Sequence, residues 1–228
     1  MSLRYCVLFI LLSISIQANA GSGVVVGATR VIYQAENKSA ALEVKNLSDK
    51  ENFLIQAWVD DAKQKRSRAF IVTPPLYRLK AGGDNVLRIV RTEEQLPQDR
   101  ETVQWVNVKS IPSSSDISPD QNVLQIAIKT RLKLFYRPKG LQGKSEDAPG
   151  KLSWKHEGNN LRVTNPTAYS VTFASLTVNG KEIKEADIVP PKGGVSYILP
   201  ATSGVLSIEY QTITDFGGVI SAKVIRIG

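Results

Sequence analysis

The sequence predicts an all-β protein made of two sandwich domains, and three observations carry that expectation. Short apolar runs recur along the chain, each closed by turn chemistry, and no segment has the spacing of a convincing amphipathic helix. One polar, breaker-rich stretch, residues 138–150 (PKGLQGKSEDAPG), interrupts this pattern with the composition of a linker. Immediately before it lies an alternating run far longer than the others, residues 122–137 (NVLQIAIKTRLKLFYR).

The first twenty residues read as an export leader. Arg4 supplies a basic start, residues 7–16 an apolar centre broken only by two serines, and Ala18-Asn19-Ala20 a small-x-small cleavage site. This run is too short to span a membrane. The mature chain is predicted to begin at Gly21 with 208 residues, and no later run approaches 18 consecutive apolar residues, so no membrane insertion is expected. The single cysteine, Cys6, leaves with the leader. Disulfides and cysteine-based metal sites are thereby excluded despite an oxidising destination, and stability has to come from packed cores. Without Arg4 the chain carries 28 Lys+Arg against 21 Asp+Glu, a net of +7. Export and the lack of a dense basic run argue against nucleic acid. The surplus reads as solubility, with part of it directed at an anionic ligand.

Residues 24–26 and 29–33 open the first domain, and 40–45 follow, ending in Asn46-Leu47-Ser48-Asp49. Residues 53–59 carry Trp58 and lead into a charged hairpin at 60–68. Residues 70–73 stop at Pro74-Pro75, a pair able to hold a cis bond. After the turn Ala81-Gly82-Gly83-Asp84-Asn85 come strands at 86–90 and 103–109, then a Ser-, Pro- and Asp-rich loop at 111–121. Roughly seven strands in about 115 residues indicate an antiparallel sandwich of immunoglobulin type. Beyond the linker, runs at 152–155, 160–163, 171–178, 195–199, 205–210 and 219–227 describe a smaller sandwich, with Asn179-Gly180 as its strongest hairpin signal.

In the long run, Leu124, Ile126, Ile128, Thr130, Leu132, Leu134 and Tyr136 share one face, and Lys129, Arg131, Lys133 and Arg137 the other. Residues 124–136 number 13, roughly 43 Å of strand at about 3.3 Å per residue, where about 5–6 residues is usual. A strand of that length overhangs its sheet. Catalysis is poorly supported: His156 sits between Lys155 and Glu157 before a Gly158-Asn159-Asn160 turn, with no partners for a nucleophilic triad or a metal. Asp215-Phe216-Gly217 spells a kinase triplet without a phosphate-binding loop, and Asn37-Lys38-Ser39 and Asn46-Leu47-Ser48 are sequons only in a glycosylating host. No enzyme activity, cofactor or metal is expected. The residues alone leave two readings: a binding module that uses the long strand, or an exported structural or adhesive protein with that strand in its own core.

Thr29-Arg30-Val31-Ile32-Tyr33, Thr73-Pro74-Pro75, LPQDRE at 96–101, WVNV at 105–108, LQIAIKTRLKLFYRP at 124–138, Asn165-Pro166-Thr167 and Thr214-Asp215-Phe216-Gly217-Gly218 together closely resemble the periplasmic pilus chaperones of the PapD-like family. The resemblance covers essentially the whole mature chain and matches the short-loop subclass, with no cysteine pair flanking the long strand. Ala168 departs from it, since relatives often have proline there. The resemblance implies a leader at 1–20, an N-terminal immunoglobulin-like domain at 21–140 and a C-terminal one at 141–228, arranged as a boomerang. It implies a periplasmic chaperone that completes pilus subunits by lending them a strand and delivers them to an outer-membrane usher. Leu124, Ile126 and Ile128 would fill the subunit groove, Arg30 and Lys133 would anchor the subunit's terminal carboxylate, and Glu101, Arg137 and Asp215 would form an inter-domain salt-bridge network. Whether the free protein self-associates through the same strand stays open.

Overall fold

A computed structural model describes residues 23–113, 124–200 and 204–227. The leader, most of the 111–121 loop and the first two residues of the long run lie outside the described residues. The N-terminal sandwich contains β1 (Val24–Val26), β2 (Arg30–Gln34), β3 (Ala40–Asn46), β4 (Phe53–Asp60), β5 (Phe70–Thr73), β6 (Leu76–Leu79), β7 (Asp84–Arg91), β8 (Thr102–Pro112) and β9 (Ile128–Arg137). One sheet has the order β1-β3-β7-β5, the other β2-β9-β8-β4-β6. The second sheet contains a parallel pair, β2 with β9.

Alternation decides what is buried. Leu42 and Val44 of β3, Ile55 of β4, Leu87 and Ile89 of β7, Val106 of β8 and Leu134 and Tyr136 of β9 all point between the sheets. Tyr33, Phe70 and Tyr136 close one end, with Tyr33 edge-on to Phe70 at 5.2 Å between centroids. The Thr73–Pro74 peptide is cis and lies where the chain leaves the first sheet for the second. Asn46 is fully buried, its Nδ2 donating to the carbonyls of Glu51 (2.7 Å) and Lys80 (2.9 Å). That burial removes the second sequon from the surface.

The C-terminal sandwich contains β10 (Ser153–Glu157), β11 (Asn160–Asn165), β12 (Val171–Val178), β13 (Lys181–Glu182), β14 (Ile188–Val189), β15 (Gly193–Ile198), β16 (Leu206–Ile213) and β17 (Val219–Ile227). Its sheets run β10-β11-β15 and β13-β12-β16-β17, with β14 also paired to β12. Leu161, Val163, Leu176, Leu206 and Ile208 form its core beside a cluster of Trp154, Phe173 and Tyr210 rings, 5.5–6.1 Å apart. Asn179 (φ 50°) and Gly180 (φ 76°) make the tight hairpin turn that their sequence demands.

Two local readings need correction. The strand expected over 124–136 begins only at Ile128, because β8, its ladder partner, reaches Ile128 at Ser110 and ends at Pro112. The stretch read as linker holds a 3₁₀ helix, Ser145–Lys151, which buries Ala148 against the second core.

Candidate functional site

The site begins with a mismatch of strand lengths. β9 pairs with β8 along its whole length, from Tyr136 opposite Thr102 to Ile128 opposite Ser110. β2 covers the other edge only from Lys133, opposite Arg30, to Arg137, opposite Gln34. Residues 128–132 of β9 therefore have one edge with no strand beside it among the described residues. The apolar face changes environment at the same place. Leu132, Leu134 and Tyr136 are buried, Thr130 is half-buried, and Ile128, Ile126 and Leu124 are 60, 63 and 84 % exposed. A free backbone edge flanked by exposed apolar side chains is an aggregation hazard that proteins ordinarily cover.

A basic cleft marks the end of that free edge. The β2–β9 register sets Arg30 beside Lys133. The Arg30 guanidinium lies 5.5 Å from the Phe135 ring centroid and donates from Nη1 to the Ile213 carbonyl (3.3 Å), while its Nε is buried without a hydrogen-bond partner. Burial lowers the Arg30 pKa, and Asp215 and Asp187 pull it back up. Lys133 Nζ donates to Asp187 Oδ1 at 2.6 Å, across the gap between the domains. Arg30, Lys133, Arg131, Trp105, Ile213 and Gly217 line a cavity of about 290 Å³, with Arg131 stacked 4.7 Å over Trp105. Three cationic side chains round one cavity, one with a spare buried donor, suit a small carboxylate-bearing group.

Behind the cleft, Arg137 joins the two sandwiches. Its Nε donates to Glu101 Oε1 (2.7 Å), and its Nη1 and Nη2 donate to the two oxygens of Asp215 (2.7 and 3.0 Å). Glu101 Oε2 also accepts the Ser170 N–H (2.8 Å), and Asp215 accepts the Ser145 hydroxyl (2.9 Å). Burial pushes the Glu101 carboxyl up against the opposing pull of Arg137 and Ser170. Burial would raise Asp215 too, but hydrogen bonds from Arg137 and Ser145 outweigh it and hold its pKa low. The Glu101 N–H donates to the carbonyl of Ala168, so alanine at that position still joins the domain contact. Gly217 (φ 84°) brings the β16–β17 turn against Thr29, where an added Cβ would run into the threonine Oγ1.

The structure thus brings Glu101, Arg137 and Asp215 together, sets Arg30 beside Lys133, and leaves Leu124, Ile126 and Ile128 in solvent. Sequence reasoning missed Phe135, Asp187, Ser145 and Ser170. Phe135 falls on the odd, polar parity of β9, Asp187 and Ser170 meet the site only because the domains dock, and Ser145 joins Asp215 from within the C-terminal sandwich.

The fold and cleft define a class: a two-sandwich protein with an overhanging strand beside a cationic pocket. The Pili and flagellar-assembly chaperone, PapD N-terminal domain model matches residues 23–142, and the Pili assembly chaperone PapD, C-terminal domain model matches residues 147–224. The chain belongs to the PapD family of pilus-assembly chaperones. It is 51 % identical to the probable fimbrial chaperone LpfB of Escherichia coli O157:H7, covering 92 % of each chain. It is 40 % identical to the chaperone protein FimC of Escherichia coli, over 95 % of this chain and 91 % of that one. The structure of the Salmonella enterica SafA pilin in complex with the SafB chaperone matches with a TM-score of 0.81 and 39 % identity, over 90 % of this chain and 97 % of that one.

Proposed function

We propose that the protein captures pilus subunits in the periplasm, completes their fold with residues 124–128 and hands them to an outer-membrane usher. A single observation carries the reading: the open edge of β9 starts at the Arg30–Lys133 pair and leads into an exposed apolar row, Ile128, Ile126 and Leu124, the last two in the stretch before the strand. A subunit strand can add to that edge by β-augmentation, of which pilin donor-strand complementation is a known instance. Leu124, Ile126 and Ile128 then enter the subunit's groove. Its terminal carboxylate takes charge-assisted hydrogen bonds from Arg30 and Lys133. Glu101, Arg137 and Asp215 hold the angle between the domains and do not touch the subunit. The leader at residues 1–20, the domain division at 140/141 and membership of the short-loop subclass belong to this same proposal.

Co-expression with a subunit tests it. The parent gives a soluble one-to-one complex, while Arg30→Ala and Lys133→Ala lose it and keep the parent's circular dichroism spectrum and melting temperature. Undiminished binding by both folded variants would refute the anchor.

A further inference from the structure

One contact in the cleft has no place in that scheme. Lys133 is assigned to an incoming carboxylate, yet in the free protein its ammonium already holds a carboxylate, Asp187 Oδ1 at 2.6 Å. The Lys133 side chain is mostly buried and the Asp187 side chain is 58 % exposed, so the lysine is anchored in its cleft while the aspartate can turn away into water. Arg30 differs: its buried Nε has no partner, and its Nη1 donates only a long bond to a neutral carbonyl. Both carboxylates that raise the Arg30 pKa, Asp215 and Asp187, belong to the C-terminal domain. Asp215 is held by Arg137 and Ser145, whereas Asp187, on the connection into β14, has its carboxylate on Lys133.

We infer that Asp187 is an internal competitor for the client's terminal carboxylate, occupying Lys133 in the free chaperone and yielding it on capture. This rests on the carboxylate anchor proposed above. Arg30, which has no ion pair among the described residues and bonds a neutral carbonyl, receives the client's chain end first. The exchange at Lys133 follows, and the ammonium trades one carboxylate for another with no net change in its charge pairing. Affinity is thereby held below what Arg30 and Lys133 could deliver together, and the released Asp187 can retake Lys133 when the client leaves. Asp187 is thus an affinity-determining residue that acts through Lys133 without touching the client.

The sign of one substitution decides the matter. Asp187→Asn removes the charge and preserves the shape, and the backbone carbonyl of residue 187 keeps its hydrogen bond from the Phe173 N–H (2.7 Å). The probe is a synthetic peptide of alternating apolar and polar residues with a free C-terminal carboxylate, compared with the same peptide amidated. Asp187→Asn is expected to bind the free acid about two- to tenfold tighter than the parent, with slower dissociation and little change for the amide. Glu182→Gln, which removes an exposed carboxylate at the opposite end of β12 from Asp187, is expected to leave the free acid's affinity unchanged, which separates competition at Lys133 from a general electrostatic gain. Weaker or unchanged binding by Asp187→Asn would overturn the inference, weaker binding meaning that Asp187 orients Lys133 for the client. Failure of the underlying anchor has a different signature: the parent would not distinguish acid from amide, and Arg30→Ala would bind like the parent.

Discussion

Truncating Ile126 separates a lent side chain from a structural one. Ile126 is 63 % exposed in the free protein. Burying an isoleucine completely gives about 1.5–3 kcal/mol, so roughly 1–2 kcal/mol remains available for a partner to realise. Ile126→Ala should therefore weaken subunit binding by about 5–25-fold, while the chaperone's own stability moves by no more than about 0.5 kcal/mol. Ile126→Asp goes further, since it would place an unpaired carboxylate in the subunit's groove, and is expected to abolish the complex. Titration calorimetry with a soluble subunit reads the first quantity, and thermal melting of the free chaperone the second. Leu134 provides the contrast within the same strand face: it is fully buried, and Leu134→Ala should cost about 2–5 kcal/mol of stability. A drop in the melting temperature of Ile126→Ala comparable to that of Leu134→Ala, with binding intact, would refute the division of the strand.

Arg137→Met strips the buried Glu101 of its counter-charge and should cost about 3–5 kcal/mol in urea unfolding at pH 7. Glu101 is then pushed further above its unfolded value of about 4.3, so stability falls as pH rises through that window, and the deficit should shrink when the melts are repeated near pH 4.5. Asp215 has the opposite sign. Its pKa is lowered on folding, so the advantage of the parent over Asp215→Asn should be complete above about pH 4 and vanish as pH falls through the lowered value, as read by acid titration of both proteins. Gly217→Ala combines a positive φ with a collision at Thr29 and should lose more than about 1 kcal/mol, with a matching decline in subunit binding if the turn shapes the cleft.

Strand parity made the long run legible before any coordinates: seven even positions share a face, and the division between Ile128 and Leu132 lies within it. Its ladder could not be read in the same way, because a strand ends where its partner ends, and alternation within residues 122–137 does not show which residue of β8 stands opposite each position. The pairing of Arg30 with Lys133 follows from β2 running parallel to β9, a relation between segments about a hundred residues apart that local alternation does not encode. Glu101, Arg137 and Asp215 were singled out by resemblance alone, since their spacing has no periodicity that would join them. Asp187 and Ser170 had no signal at all: each is an ordinary polar residue in a loop until the second sandwich swings it against the first. Phe135 was passed over for a simpler reason. On a face where four of the odd positions are cationic, its buried ring lies under an arginine of the neighbouring strand and lines a cavity together with residues of the other domain.

The shortness of β2 has a consequence for measurement. With a chain end held at Arg30 and Lys133, every position along the open edge of β9 is counted from a chemical landmark, the last carboxylate of the client. Ile128 stands five residues from Lys133, about 17 Å of strand, and Ile126 and Leu124, which lie before β9, would fall at intervals of roughly 6.8 Å once drawn into a strand against a client. On the proposed anchoring, the cleft and the edge would together act as a gauge with a fixed zero. A client lengthened by one residue at its end would present the wrong face at every graduation, and one lengthened by two would present the right face one notch out of place. Under that proposal, where the chain stops, and not only what it contains, would become part of what is recognised.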